Sequence, residues 1–115
     1  MKRILVIGLL LATGGVVSRA AAQAAGQGEG QTLYLKNCRQ CHGTKGTPPK
    51  TAKAKYEHIA DLSDAAFMGK RSEDSIVVVI KKGVKEEKEM KGFADSLSPE
   101  EMHLIAKYVR SLSIK

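Results

Sequence analysis

An all-α domain of three to five helices is what this sequence predicts, on three observations. Ser98-Pro99-Glu100-Glu101 is a helix start, with Ser at the N-cap, Pro in the first helical position and Glu101 placed to close a capping box. Ser72 followed by Glu73 and Asp74 opens a second helix, which Gly83 stops. The only two cysteines, Cys38 and Cys41, stand three apart at the end of a segment with helical spacing. No parallel-sheet pattern surrounds Cys38.

The elements run in order from the N-terminus. Lys2 and Arg3 precede an apolar run from Ile4 to Leu11 that only Gly8 interrupts, and small residues lead into Ala20-Ala21-Ala22-Gln23-Ala24. That is the pattern of a Sec signal peptide, residues 1–24, with cleavage after Ala22 or Ala24. The apolar core falls short of the roughly 20 residues that span a bilayer, so a retained anchor is the weaker reading. No cysteine follows it to carry a lipid.

Residues 25–115 form one domain, opening on a flexible lead-in at Gly26 to Gly30. A helix begins near Gly28 and runs to Cys41, with Leu33, Tyr34 and Asn37 on one side. From Gly43 to about Ala60 the chain reads as loop, marked by Gly46, Pro48-Pro49 and four lysines. Asp61-Leu62-Ser63-Asp64 leads into a short helical piece through Met68. Ile76 to Ile80 has strand propensity, yet the Ser72 cap, the terminal lysines and Gly83 argue helix. The last helix puts Met102, Ile105, Tyr108, Val109 and Leu112 on one stripe. Glu100, His103, Lys107 and Arg110 fall on the opposite face, which makes His103 a solvated residue.

Charge excludes little but is informative. The formal +7 includes Lys2, Arg3 and Arg19; without them 16 basic face 12 acidic residues, leaving +4. Nucleic-acid binding has no support beyond that modest balance. A domain of this size with no Trp builds a marginal core and needs a staple.

Cys38-Arg39-Gln40-Cys41-His42 supplies one. C-x-x-C-H is the spacing of a c-type haem attachment site. Two thiols on one helical turn each add to a haem vinyl group, and the next residue, His42, brings its imidazole to the iron as proximal ligand. A thioredoxin-type pair would follow a strand in a βαβ unit, which is missing here. A structural zinc needs four ligands, and His58 and His103 are far apart and unpaired. A disulfide between cysteines this close would constrain little of the chain.

The whole of the mature region resembles the class I c-type cytochromes, the small monohaem bacterial group with the cytochrome c fold. Gly30-x-x-x-Tyr34-x-x-x-Cys38-x-x-Cys41-His42 is similar to that family's first helix, where a glycine and an aromatic one turn apart cross the C-terminal helix. Leu104-x-x-x-Tyr108-Val109-Arg110-Ser111-Leu112 is similar to that last helix. Ile80-Lys81-Lys82-Gly83, a methionine, then Leu97-Ser98-Pro99-Glu100-Glu101 complete the order.

The resemblance implies one covalent haem c and a sixth iron ligand, for which the chain offers Met68, Met90, Met102 or His58. Met102 lies on an apolar stripe and Met68 ends Ala65-Ala66-Phe67-Met68, so both read as core. Met90 stands among charges, with no apolar periodicity to bury it, where the family keeps its axial methionine. Met90 is therefore the expected ligand and Met68 the runner-up. The family commonly places proline after this methionine; here it is Lys91. A proline carbonyl, of Pro48 or Pro49, is the implied acceptor for the other ring nitrogen of His42. Tyr56 is a candidate for a haem propionate. Arg39, Lys45, Lys50, Lys53 and Lys55 form a candidate positive rim.

The implied function is that of a periplasmic one-electron carrier between redox protein partners, a donor and an acceptor, one of them with an acidic docking surface. It is not an enzyme, since no hydrolytic or group-transfer constellation is visible. Stable membrane insertion after cleavage is not expected. Two alternatives stay open on sequence alone: a haem subunit of a periplasmic dehydrogenase complex, and a gas-binding or peroxidase-like protein with an open sixth position. Four-helix gas-binding cytochromes carry their motif near the C-terminus, unlike this chain.

Overall fold

The computed structural model describes residues 14–15, 19–85 and 90–114. The expected signal peptide, 1–24, lies outside them apart from residues 14–15 and 19–24. Among the described residues there are six helices, three of them long. They are α1 (Arg19–Asn37), α2 (Arg39–His42), α3 (Lys50–Lys55), α4 (Ala65–Gly69), α5 (Glu73–Lys82) and α6 (Pro99–Ser111). Two-residue strands β1 (Gly83–Val84) and β2 (Met90–Lys91) pair antiparallel, Val84 opposite Met90.

The expected caps are present. Ser98 Oγ accepts from Glu101 N at 3.1 Å while Glu101 Oε2 accepts from Ser98 N at 2.8 Å, closing the capping box of α6. Ser72 Oγ takes Ser75 N at 3.1 Å, and Asp64 caps α4 through Ala66 N and Phe67 N. The valine run of α5 is helical despite its β propensity. Ile76 and Ile80 are buried one turn apart, and Val78 and Val79 remain exposed.

Two expectations need correction. The helix begins at Arg19, so Gly26 to Gly30 is helical where a lead-in was expected. Gln27, Glu29, Gln31, Leu33 and Lys36 are good helix formers and carry the element across those glycines. The Gly43–Ala60 stretch also contains a short helix, α3. Pro49 sits at its N-cap position, ahead of lysines and alanines that are good helix formers, and Ala52 is its buried side chain.

The core is the crossing of α1 with α6, backed by α5. Tyr34, Ile105 and Ala106 are fully buried, with Met68, Met102, Val109 and Leu97 around them. Gly30 makes this crossing possible, because a Cβ there would fall on the Leu104 carbonyl and stand 3.2 Å from Tyr108 Cβ. One turn on, the Tyr34 and Tyr108 rings meet at 5.3 Å between centroids, tilted by 56°. The glycine and aromatic pair expected of the first helix thus have their physical reason.

Candidate functional site

The end of α1 delivers the Cys-x-x-Cys-His segment directly from that crossing. Cys38 interrupts the helix for one residue, yet the ladder carries across it: Cys38 N donates to Tyr34 O at 2.8 Å and His42 N to Cys38 O at 3.0 Å. Tyr34, fixed against Tyr108, sends its hydroxyl to Gly43 O at 2.6 Å, tying the residue after His42 to the core. Burial holds the Tyr34 phenol well above its ordinary range, so it stays a donor.

Cys38 and Cys41 are both free thiols and half-buried. Burial, and then the neighbouring Cys41, push the Cys38 thiol up to about 11. His42 is half-buried, and burial lowers its pKa, opposed by the carbonyl of Ala60. The neutral imidazole is the ligand-competent form.

His42 Nδ1 lies 3.2 Å from Ala60 O, which fixes the proton on Nδ1 and leaves Nε2 with its lone pair. The expected acceptor, a carbonyl of Pro48 or Pro49, is not the one found. Pro49 O is taken by Lys53 N at 3.0 Å as the first bond of α3. No sequence signal marks Ala60, because every residue offers a carbonyl.

The donor set suits a covalently held porphyrin. Two reduced thiols share one helical turn, followed by an imidazole whose tautomer leaves Nε2 unprotonated. A zinc site does not fit: among the described residues no three His, Cys, Asp or Glu side chains gather where they could hold a metal ion.

The methionines separate by environment. Met68 and Met102 are each 3% exposed inside the core cluster, which agrees with their reading as packing residues. Met90 is half-buried in β2 and lies outside that cluster; residues 86–89 before it are outside the described set. His58 is exposed, and His103 sits on the surface with Nδ1 3.7 Å from Glu73 Oε1. Tyr56 is half-buried under Lys55 Nζ, 5.0 Å from its ring centroid. Arg39, Lys45, Lys50, Lys53 and Lys55 are all exposed. No described helix is long and apolar enough to cross a membrane.

Comparison with known proteins agrees with this geometry. Residues 25–109 match the family described as cytochrome c oxidase, cbb3-type, subunit III. Among solved structures, the chain is similar to the KustC0563 c-type cytochrome. The identity is 31% and the TM-score 0.64, covering 72% of this chain and 95% of that one. A tyrosine-to-phenylalanine mutant of Kustc0563 matches at 30% identity and TM-score 0.63, covering 73% and 98%. No curated protein matches. The chain carries one Cys-x-x-Cys-His motif, hence one covalent haem c, and its fold is that of cytochrome c. It belongs to the c-type cytochromes, in the family of cbb3-type oxidase subunit III domains.

Proposed function

We propose that this cytochrome is a periplasmic one-electron carrier with its iron held between His42 and Met90. The haem, attached at Cys38 and Cys41, supplies the Fe(II)/Fe(III) couple, and the protein sets its potential, exposure and docking. The observation that carries the reading is the contrast between methionines. Met68 and Met102 are committed to the apolar core, while Met90 stands apart from it, half-buried, on the hairpin that follows α5. A thioether is a weak, soft ligand that fills the sixth position and raises the potential. With His42 and Met90 as the residues that would hold the iron, no position would be left for a substrate.

Export is supported by the Lys2-Arg3 start, the apolar run and the alanine-rich stretch, with residues 1–24 removed. The exposed Arg39, Lys45, Lys50, Lys53 and Lys55 supply a docking face for an acidic redox partner. The family description raises a second reading, in which the domain serves as a subunit of an oxidase-type complex rather than as a free shuttle.

Ferric holoprotein should show the weak red-edge absorption band of iron–thioether ligation, and Met90→Ala should abolish it. Ready carbon monoxide binding by native reduced protein would replace the carrier with the open-site alternative. Co-purification from periplasm with stoichiometric partners would favour the subunit reading.

A further inference from the structure

We propose that Thr47, Ser63 and Asp61 form a hydrogen-bond staple that positions the Ala60 carbonyl against His42 Nδ1, supplying with side chains the rigidity that a proline would give. The inference rests on His42 being the iron ligand.

The acceptor of a ligating histidine must be held still, because it sets both the ring's tautomer and its donor strength. Ala60 has no ring to stiffen it and lies 18 residues beyond His42, on the far side of the loop that contains α3. Two short backbone stretches are bound together beside it. Leu62 N donates to Gly46 O at 2.9 Å, and Thr47 Oγ1 lies 2.7 Å from Ser63 Oγ.

The direction of the side-chain relay can be deduced. Ser63 gives its hydroxyl hydrogen to Asp61 Oδ1 at 2.5 Å, and Ser63 N reaches the same oxygen at 3.0 Å. Ser63 Oγ has no second hydrogen, so Thr47 must be the donor to it. Thr47 therefore gives to Ser63, and Ser63 to a carboxylate, an arrangement in which each bond polarises the next. The relay ties the segment just after His42 to the residues just after Ala60. Both partners of the His42–Ala60 contact are thereby fixed from behind. Gly46 closes the gap beneath: a Cβ there would stand 3.1 Å from Leu62 Cβ and 3.1 Å from Leu112 Cδ1, so the stapled segments rest on the end of α6.

Asp61, Ser63 and Thr47 are positioning residues; none of them touches His42. Removing the staple lets Ala60 O drift, the imidazole becomes a poorer donor, and the ferric state loses stabilisation relative to the ferrous one.

The experiment uses holoprotein and two readouts: solvent exchange of the hyperfine-shifted His42 Nδ1 proton by NMR, and the midpoint potential. Ser63→Ala should speed that exchange roughly five- to tenfold, the factor that loss of one neutral hydrogen bond supplies, and move the potential upward. Ser63→Thr, which keeps the hydroxyl, should stay near wild type. Ala60→Pro in the Ser63→Ala background should return both readouts toward wild type, since among the described residues Ala60 N donates no hydrogen bond that proline would remove. Should Ser63→Ala fail to fold, Thr47→Val removes the outer donor alone and is read the same way. Unchanged exchange and potential in a folded Ser63→Ala protein would overturn the staple. So would equal shifts in Ser63→Ala and Ser63→Thr, or no recovery with Ala60→Pro. A wild-type spectrum without a shifted His42 ring proton would instead overturn the ligation, a result distinguishable from all of these.

Discussion

His42 and Met90 are placed by opposite kinds of structure. His42 ends a helical turn continuous with the α1–α6 crossing, and it is braced by Tyr34 through Gly43 and by Ala60 at its own ring. Met90 rests on a two-residue strand pair, anchored by Phe93 N to Ile80 O at 2.8 Å and by the turn at Gly83. There φ is +72°, and a Cβ would collide with the Met90 and Lys91 backbone. One proposed ligand position is a consequence of the core. The other is a local feature added after α5, and it can change while the core stays intact.

The strongest test of that contrast is attachment itself. Cys38→Ala and Cys41→Ala should each leave little or no correctly matured holoprotein, because one of two anchoring thioethers is lost at the core-built end. A haem stain on a denaturing gel measures it. Full covalent haem in either variant would break the assignment of both thiols.

Next in size is the pair of methionines. Met68→Ala removes a side chain 3% exposed in the core and should cost about 2–5 kcal/mol in denaturant unfolding, with the red-edge band retained. Met90→Ala should remove the band while leaving helix content unchanged by far-ultraviolet dichroism. Loss of the band in Met68→Ala alone would reverse the roles and dissolve the contrast.

The sequence disclosed these two regions unequally. The motif, the Ser98 capping box and the Met102–Ile105–Val109 stripe are local patterns with direct physical meaning, and each stands where expected. Met90 was legible as an oddity, a methionine among charges, and by its place in the order that the family resemblance implies. Its β pairing was not, since two-residue strands carry no alternation to detect. The Ala60 acceptor was invisible because a backbone carbonyl has no sequence signature, and only the folded loop chooses it over a proline. Helix α3 was hidden by Pro48-Pro49, which reads as loop although Pro49 in fact sits at a helix start.

A finer probe of the core-built side compares two glycines on α1. Gly30→Ala forces a methyl onto the Leu104 carbonyl and should destabilise by about 1–3 kcal/mol, lowering the thermal midpoint by roughly 4–8 °C for each kcal/mol. Gly28 meets nothing within 4 Å, so Gly28→Ala should be stabilising by up to ~1 kcal/mol through helix propensity alone. Equal effects would mean the crossing is looser than its geometry implies.

The smallest expected effect concerns the surface beside the motif. Lys45, Lys50, Lys53 and Lys55 lie on the loop that begins at the end of α2, whereas Lys107 and Arg110 occupy the outer face of α6. A rim that steers an acidic partner acts on the encounter rate, and its influence fades as salt shortens the Debye length to about 10 Å at 0.1 M. Charge reversal of the four loop lysines should slow bimolecular electron transfer severalfold at low ionic strength, with the haem spectrum unchanged. The difference should vanish at high salt. Reversal at Lys107 and Arg110 is the control and should slow the reaction less, since that face is turned outward from the core that carries His42. Equal slowing from both sets would reduce the effect to net charge. No slowing from either would leave the loop lysines as solvated side chains, with partner docking resting on other contacts.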